Sequence, residues 1–408
     1  MTATSQPKSS RNPWRDLRIL PREMWILGAA TLVNRIGMMA LPFLTLYLTE
    51  HLRYSQAHAG YVLSIYGLGA LITAPLAGRL SDHVGPLRIM QLALLLSGTL
   101  LLFFPLVTNY LALCALAFLW AVLSEAFRPA SMSIISDWVL PEQRKAAFAL
   151  NRLAINLGMS IGPAAAGFIA TVSFTAIFII DGATSILAGL MLMFSALRSR
   201  VPHVAEAHAH KTGARPIRTA NVFSDRRFLY FILALLPVTV VFFQHNSTLP
   251  LFVVRDLNLT ESRYGLLFAM NTVLIILLEV PLNTSMAHWP HRNALALSCV
   301  FWGIGFGILM FVHSFAGALL SVAIWTFGEM ILFPGAANFV SEIAPSARRG
   351  TYMGVYQMSF SLAFILAPWL GTQMLEHFGA KWLWGAAFVL GSISAAMMWR
   401  IGEADKNS

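Results

Sequence analysis

Glu125, Glu279 and Glu329 stand inside long apolar runs, where an uncompensated charge costs at least about 2.5 kcal/mol. A carboxylate in such a place either pairs with a cation or takes up a proton, and burial without a cation favours the proton. Arg128 follows Glu125 by one helical turn, and Arg35 reaches a similar depth in the first run, so each arginine needs an acid as much as Glu125 needs a base. Glu125 therefore reads either as a structural partner of Arg35 or Arg128, or as part of a proton-coupling cluster. Glu329 has no Arg or Lys on its own run, which makes it the leading proton carrier. Glu279 has no evident cation either and lies nearer the end of its run, where it shares the task or stays hydrated. Asp181 is a weaker candidate in the first half. Asn34, His245, Asn246 and Gln357 are polar groups suited to a cavity, though packing is the favoured reading for His245 alone.

These residues sit in a chain of 408 residues that is 57% hydrophobic and 11% charged, against roughly 25% charged in soluble domains. Runs of about 20 apolar residues recur throughout, each long enough to cross a bilayer as helix. The expected fold is an all-α polytopic membrane protein with twelve transmembrane helices, near 24-48, 58-80, 87-107, 110-136, 145-171, 173-197, 227-253, 263-286, 293-312, 315-340, 350-375 and 380-400. This divides the chain into an N-tail (1-23), a six-helix half (24-197), a linker (198-226), a second six-helix half (227-400) and a C-tail (401-408). An even count puts both termini on one side. Most Lys and Arg residues fall in loops on that side, which makes it cytoplasmic and places the protein in the plasma membrane, a bacterial inner membrane being expected. The net charge of +10 thus follows from topology and gives no reason to invoke nucleic acid. The linker histidines His203, His208 and His210 read as solvated residues, with no metal or cofactor implied. Cys114 and Cys299 read as buried thiols.

The halves are copies. Sliding residues 124-167 by about 204 positions sets Glu125 on Glu329, Pro141 on Pro345, Arg144 on Arg348 and Gly167 on Gly371. Leu41-Pro42 likewise matches Leu249-Pro250. Duplicated halves enclosing a cavity are an architecture of secondary transporters.

Two motifs are more specific. The turn from Gly78 to Arg88 contains Asp82 and Gly85: glycine permits a tight turn, and the acid suits the positive end of a neighbouring helix. It resembles the loop signature of the major facilitator superfamily, with His83 in place of a usual arginine and the basic pair reduced to Pro86-Leu87-Arg88. The resemblance implies a conformational latch at Asp82 and Arg88, which Asp137 joins, although a helix cap or local salt bridge is the plain reading of Asp137. In the fifth run, Gly158, Gly162, Pro163 and Gly167 allow close helix approach and a bend, and packing alone is one account of them. They also resemble the fifth-helix signature of that superfamily's antiporters, departing at Ala166. This likeness implies export by exchange, and Gly328-Glu329 with Pro334 beyond, together with the turn from Asp137 to Lys145, is similar to twelve-helix proton-coupled multidrug antiporters. A competing likeness joins Asn34-Arg35-Ile36-Gly37 to the first helix of proton-coupled peptide symporters, but Asn34 replaces their acidic residue.

The expected function is proton-coupled efflux of amphipathic small molecules by alternating access. The partners are then a small-molecule substrate, protons and the lipid bilayer, and the expected state is a monomer. Symport of a peptide or another nutrient is the alternative, and a non-transporting membrane receptor is the reading from another class. An enzyme is disfavoured, because the chain contains no His-Glu-x2-His zinc motif, phosphate-binding glycine loop or Gly-x-Ser-x-Gly turn.

Overall fold

The computed structural model describes residues 19–140, 143–195, 222–345 and 348–401, leaving out the side chains at 74, 75, 78, 79, 82, 136, 137 and 145. Gly78, Asp82 and Asp137 of the expected latch, the linker through residue 221 and most of both tails therefore lie outside the described features. The described chain is helical, with no strand.

The apolar runs form α1 (Arg22–His51), α2 (Gln56–Val84), α3 (Pro86–Leu106), α4 (Tyr110–Trp138), α5 (Arg144–Ala170) and α6 (Phe174–Phe194) in the first half. The second half has α7 (Arg226–Asp256), α8 (Glu261–Ser285), α9 (His291–Phe311), α10 (Phe315–Ile343), α11 (Arg349–Phe378) and α12 (Ala380–Arg400). Among the described residues, eleven of these are long and apolar enough to span a bilayer. The remaining helix, α2, has 29 residues and reaches about 40 Å at 1.5 Å per residue. Most ends fall within three residues of the sequence expectation. One exception is α2, which runs to Val84 instead of 80 and is stopped by Gly85 at φ 92°, with Pro86 opening α3. Sequence polarity explains the starts: Ser55, Asn109, Ser173, Asp225 and Ser314 each accept the backbone N–H three residues on.

Duplication is visible in the backbone where side chains have diverged. α1 is broken between Gly37 and Ala40 and ends in a π segment, Tyr47–His51. α7 is broken at Phe243 and ends in the matching segment, Phe252–Asp256. Each is followed by a residue in the left-handed region, Arg53 at φ 62° and Asn258 at φ 52°. A Cβ on Gly98 would meet Gly182 between α3 and α6, and one on Gly391 would meet Gly303 between α9 and α12.

The halves meet closely on the face away from the termini. Arg255 Nε binds Glu50 Oε1 at 2.5 Å, joining the two π segments. Ala57 N donates to Glu376 Oε2 at 2.6 Å, Ser64 Oγ to Ile365 O at 2.7 Å and Gln373 Nε2 to Tyr61 Oη at 2.9 Å, all between α2 and α11. Toward the terminal face the described hydrogen bonds between α2 and α11 cease. Ile72, Leu76 and Leu80 are exposed on α2, as are Gln357, Met358 and Leu362 on α11, and a Cβ at Gly354 would meet nothing within 4 Å. One described ion pair still ties the halves on that side, Arg152 of α5 with Glu279 of α8.

Cys114 is half-buried, not buried as expected, and Cys299 is fully buried; both are free thiols.

Candidate functional site

The first half encloses a cavity between α1, α2, α3, α4 and α6, with about 560 Å³ of empty space counting its open mouth. Arg35, Asn34, Glu125, Arg128, Asp181 and Tyr66 all line it. The structure thus gathers the first-half candidates into one place, Asp181 included.

Several local devices put them there. Gly158 and Gly162 of α5 lie against Arg35 and Ile36, where a Cβ would collide with main-chain atoms of α1. The antiporter-like glycines therefore set the position of the α1 segment carrying Arg35. At the α1 break, the restarting helix has N–H groups that no helical carbonyl can satisfy inside a bilayer. Asp181 Oδ2 accepts two of them, Met39 N at 3.0 Å and Ala40 N at 2.9 Å. Asn34 Nδ2 donates to Ser185 Oγ on α6 at 3.1 Å.

Glu125 sits at the turn between the two segments of α4, Tyr110–Ser124 and Phe127–Trp138. Its Oε1 accepts from Tyr66 Oη of α2 at 3.0 Å. Among the described residues, Glu125 makes no ion pair within 4.0 Å, so it does not directly contact either arginine proposed as its partner. Instead, Arg35 and Arg128 share the cavity with it at longer range. Arg128 is exposed rather than buried, and it lies past the turn, in the first turn of the second segment of α4.

The second half repeats the carboxylate with a different donor. Asn271 Nδ2 of α8 donates to Glu329 Oε2 at 2.9 Å and to Thr326 Oγ1 at 3.0 Å. Asn271 stands 205 positions after Tyr66, so each half binds its glutamate from the corresponding helix position. Glu329 has no cation within 4.0 Å among the described residues. Farther along the same helix pair, Asn283 Nδ2 donates to Met330 O at 3.1 Å and so clamps α8 to α10 a second time.

Glu279, for which the sequence suggested no cation, has one in Arg152. The partner comes from the other half, which sequence depth alone does not reveal. His245 Nδ1 donates to Phe242 O at 2.6 Å, with the rings of Phe242, Phe268 and Trp325 around it. Its neighbour Gln244 ties α7 to α11 through Ala367 O at 3.0 Å, while Asn246 is half-buried. Gln357 is exposed on α11, and Arg88 is exposed at the start of α3. Gly167 meets α8 of the second half, where a Cβ would strike Glu261 O and the backbone of Gly265, and a Cβ on Gly265 would in turn meet Pro163 O of α5.

Two six-helix halves bonded to each other at the face away from the termini, with an intramembrane carboxylate repeated in both, are the architecture of a membrane transporter. The chain belongs to the Major Facilitator Superfamily, whose family profile matches residues 27–260 and 245–408. It is 25% identical to a Na(+), Li(+), K(+)/H(+) antiporter of Planococcus maritimus, over 92% of this chain and 95% of that protein. It is 23% identical to Multidrug resistance protein 1 of Bacillus subtilis (strain 168), covering 80% and 83%. In fold it resembles a crystal structure of the peptide transporter POT in complex with sulfate, with a TM-score of 0.76 at 18% identity over 97% of this chain and 99% of that one. The chain is a transporter and not an enzyme.

Proposed function

We propose that the protein is a proton-coupled antiporter that expels amphipathic small molecules, cationic ones included. The observation that carries this reading is Glu329: a carboxylate in a membrane helix, bonded to the neutral donor Asn271 and without a cation within 4.0 Å among the described residues. Such a group exchanges a proton at a lower cost than a salt-bridged one. The antiporter-like glycines, and the likeness to a cation/H⁺ antiporter and a multidrug resistance protein, support the direction.

The terminal face, rich in Lys and Arg, is cytoplasmic on this reading. The structure then represents a state open to the cytoplasm, with Glu50–Arg255 and the α2–α11 bonds closing the outside. Substrate enters from within, and its binding favours release of the proton from Glu329. The halves rock, and reprotonation from outside returns the carrier. The turn through Asp82 and Arg88, with Asp137, latches the cytoplasmic side when it closes.

The test is transport in proteoliposomes under an imposed proton gradient, using ethidium and tetraphenylphosphonium, with Na⁺ and K⁺ arms alongside. Wild type exchanges protons for the organic cations, and Glu329→Gln inserts normally but fails to couple. Full gradient-driven transport by Glu329→Gln overturns the assignment. Exchange of Na⁺ or K⁺ alone moves the substrate class to alkali cations.

A further inference from the structure

Arg35 carries five N–H donors and finds almost no acceptor. Its Nε is buried without a partner, one terminal nitrogen meets only the thioether of Met38 at 2.9 Å, and its guanidinium carbon lies 5.8 Å from the Phe127 ring centroid. No carboxylate oxygen lies within 4.0 Å of it among the described residues. A thioether is a weak acceptor and a cation–π contact is modest, so a charge in this position is under-compensated.

The protein has not lacked acids for the purpose. Glu125 lines the same cavity but is bonded by Tyr66, and Asp181 spends one oxygen on two backbone N–H groups of α1. The guanidinium therefore fronts open space, with Arg128 as a second cation lining the same cavity. Space, unsatisfied donors and two positive charges converge in a cavity lined by residues of the first half.

We propose that this first-half cavity is an anion subsite, holding a carboxylate, sulfate or phosphate group against Arg35 with Arg128 beside it. The planar guanidinium fork matches such oxyanions in two parallel hydrogen bonds. Glu125 faces the same arginines and opposes the bound anion, so its charge limits affinity. The ligand is either a free inorganic anion or the acidic group of a larger transported molecule, and the chemistry of recognition is the same for both. The site depends on neither the direction of transport nor the role of Glu329.

Equilibrium binding to the purified full-length protein tests this, by calorimetry and thermal stabilisation at fixed ionic strength, with sodium sulfate and sodium 2-naphthoate as probes. Wild type shows saturable binding of at least one. Sulfate alone identifies a free-anion site; naphthoate identifies a subsite for an organic acid. Arg35→Gln weakens binding roughly thirtyfold or more, Arg35→Lys weakens it less, and Glu125→Gln tightens it by roughly tenfold. No saturable binding by wild type, or equal binding by wild type and a folded Arg35→Gln protein, overturns the proposal. If Arg35→Gln does not fold, Glu125→Gln decides, and unchanged affinity there is equally fatal. The assay needs no proton gradient, so failure of efflux with anion binding intact defeats only the antiport reading, and the reverse result defeats only this one.

Discussion

Asp181 is an acid that the backbone claims. The break in α1 strands amide protons within the membrane, and one carboxylate oxygen takes two of them. Each charge-assisted bond contributes about 1.5–3 kcal/mol, so Asp181→Ala loses roughly 3 kcal/mol or more, whereas Asp181→Asn keeps an acceptor oxygen and loses much less. Thermal unfolding of the purified variants should therefore rank wild type and Asn together, with Ala well below. The sequence made Glu125, Glu329 and Arg35 conspicuous because intramembrane charge is expensive. It hid the role of Asp181, because the orphaned amides exist only once α1 breaks. Tyr66 and Asn271 were hidden for a related reason: each acts on a glutamate of another helix. Their separation of 205 positions, nearly that of the glutamates, was the available signal.

At the scale of elements, α5 serves two neighbours. Gly158 and Gly162 admit α1, and Gly167 admits α8 of the other half. Gly162→Ala puts a methyl 2.6 Å from Ile36 O, so the main chain of α1 must shift. Overpacking of this kind costs about 1–3 kcal/mol and moves Arg35, so Gly162→Ala should melt earlier and bind anionic probes more weakly. Gly354→Ala on α11 faces open space and, as a control, should leave both readouts near wild type. The close approach of helices was legible from glycine spacing. Which helix each glycine meets was not, because spacing fixes a face but not the neighbour on it. The π segments were silent in sequence, since neither has a proline or glycine to announce it.

For the whole molecule, duplication, helix number and the division into halves were legible because apolar length and repeated motifs survive divergence. The conformational state was not: Arg152 and Glu279 lie 127 positions apart in different halves, and nothing local couples them. Rocking must break the bonds at the closed face. A short thiol cross-linker between cysteines replacing Tyr61 and Gln373, with Cys114 and Cys299 replaced by serine, should block transport until it is cleaved. Undiminished transport after complete cross-linking would show that this face does not open. The central claim, that substrate and proton compete through Glu329, is tested most directly by proton release from weakly buffered, detergent-purified protein on adding tetraphenylphosphonium or ethidium. The account predicts an acid pulse from wild type and none from Glu329→Gln at equal protein concentration. An undiminished pulse from Glu329→Gln, or no pulse from wild type with either compound, would contradict it.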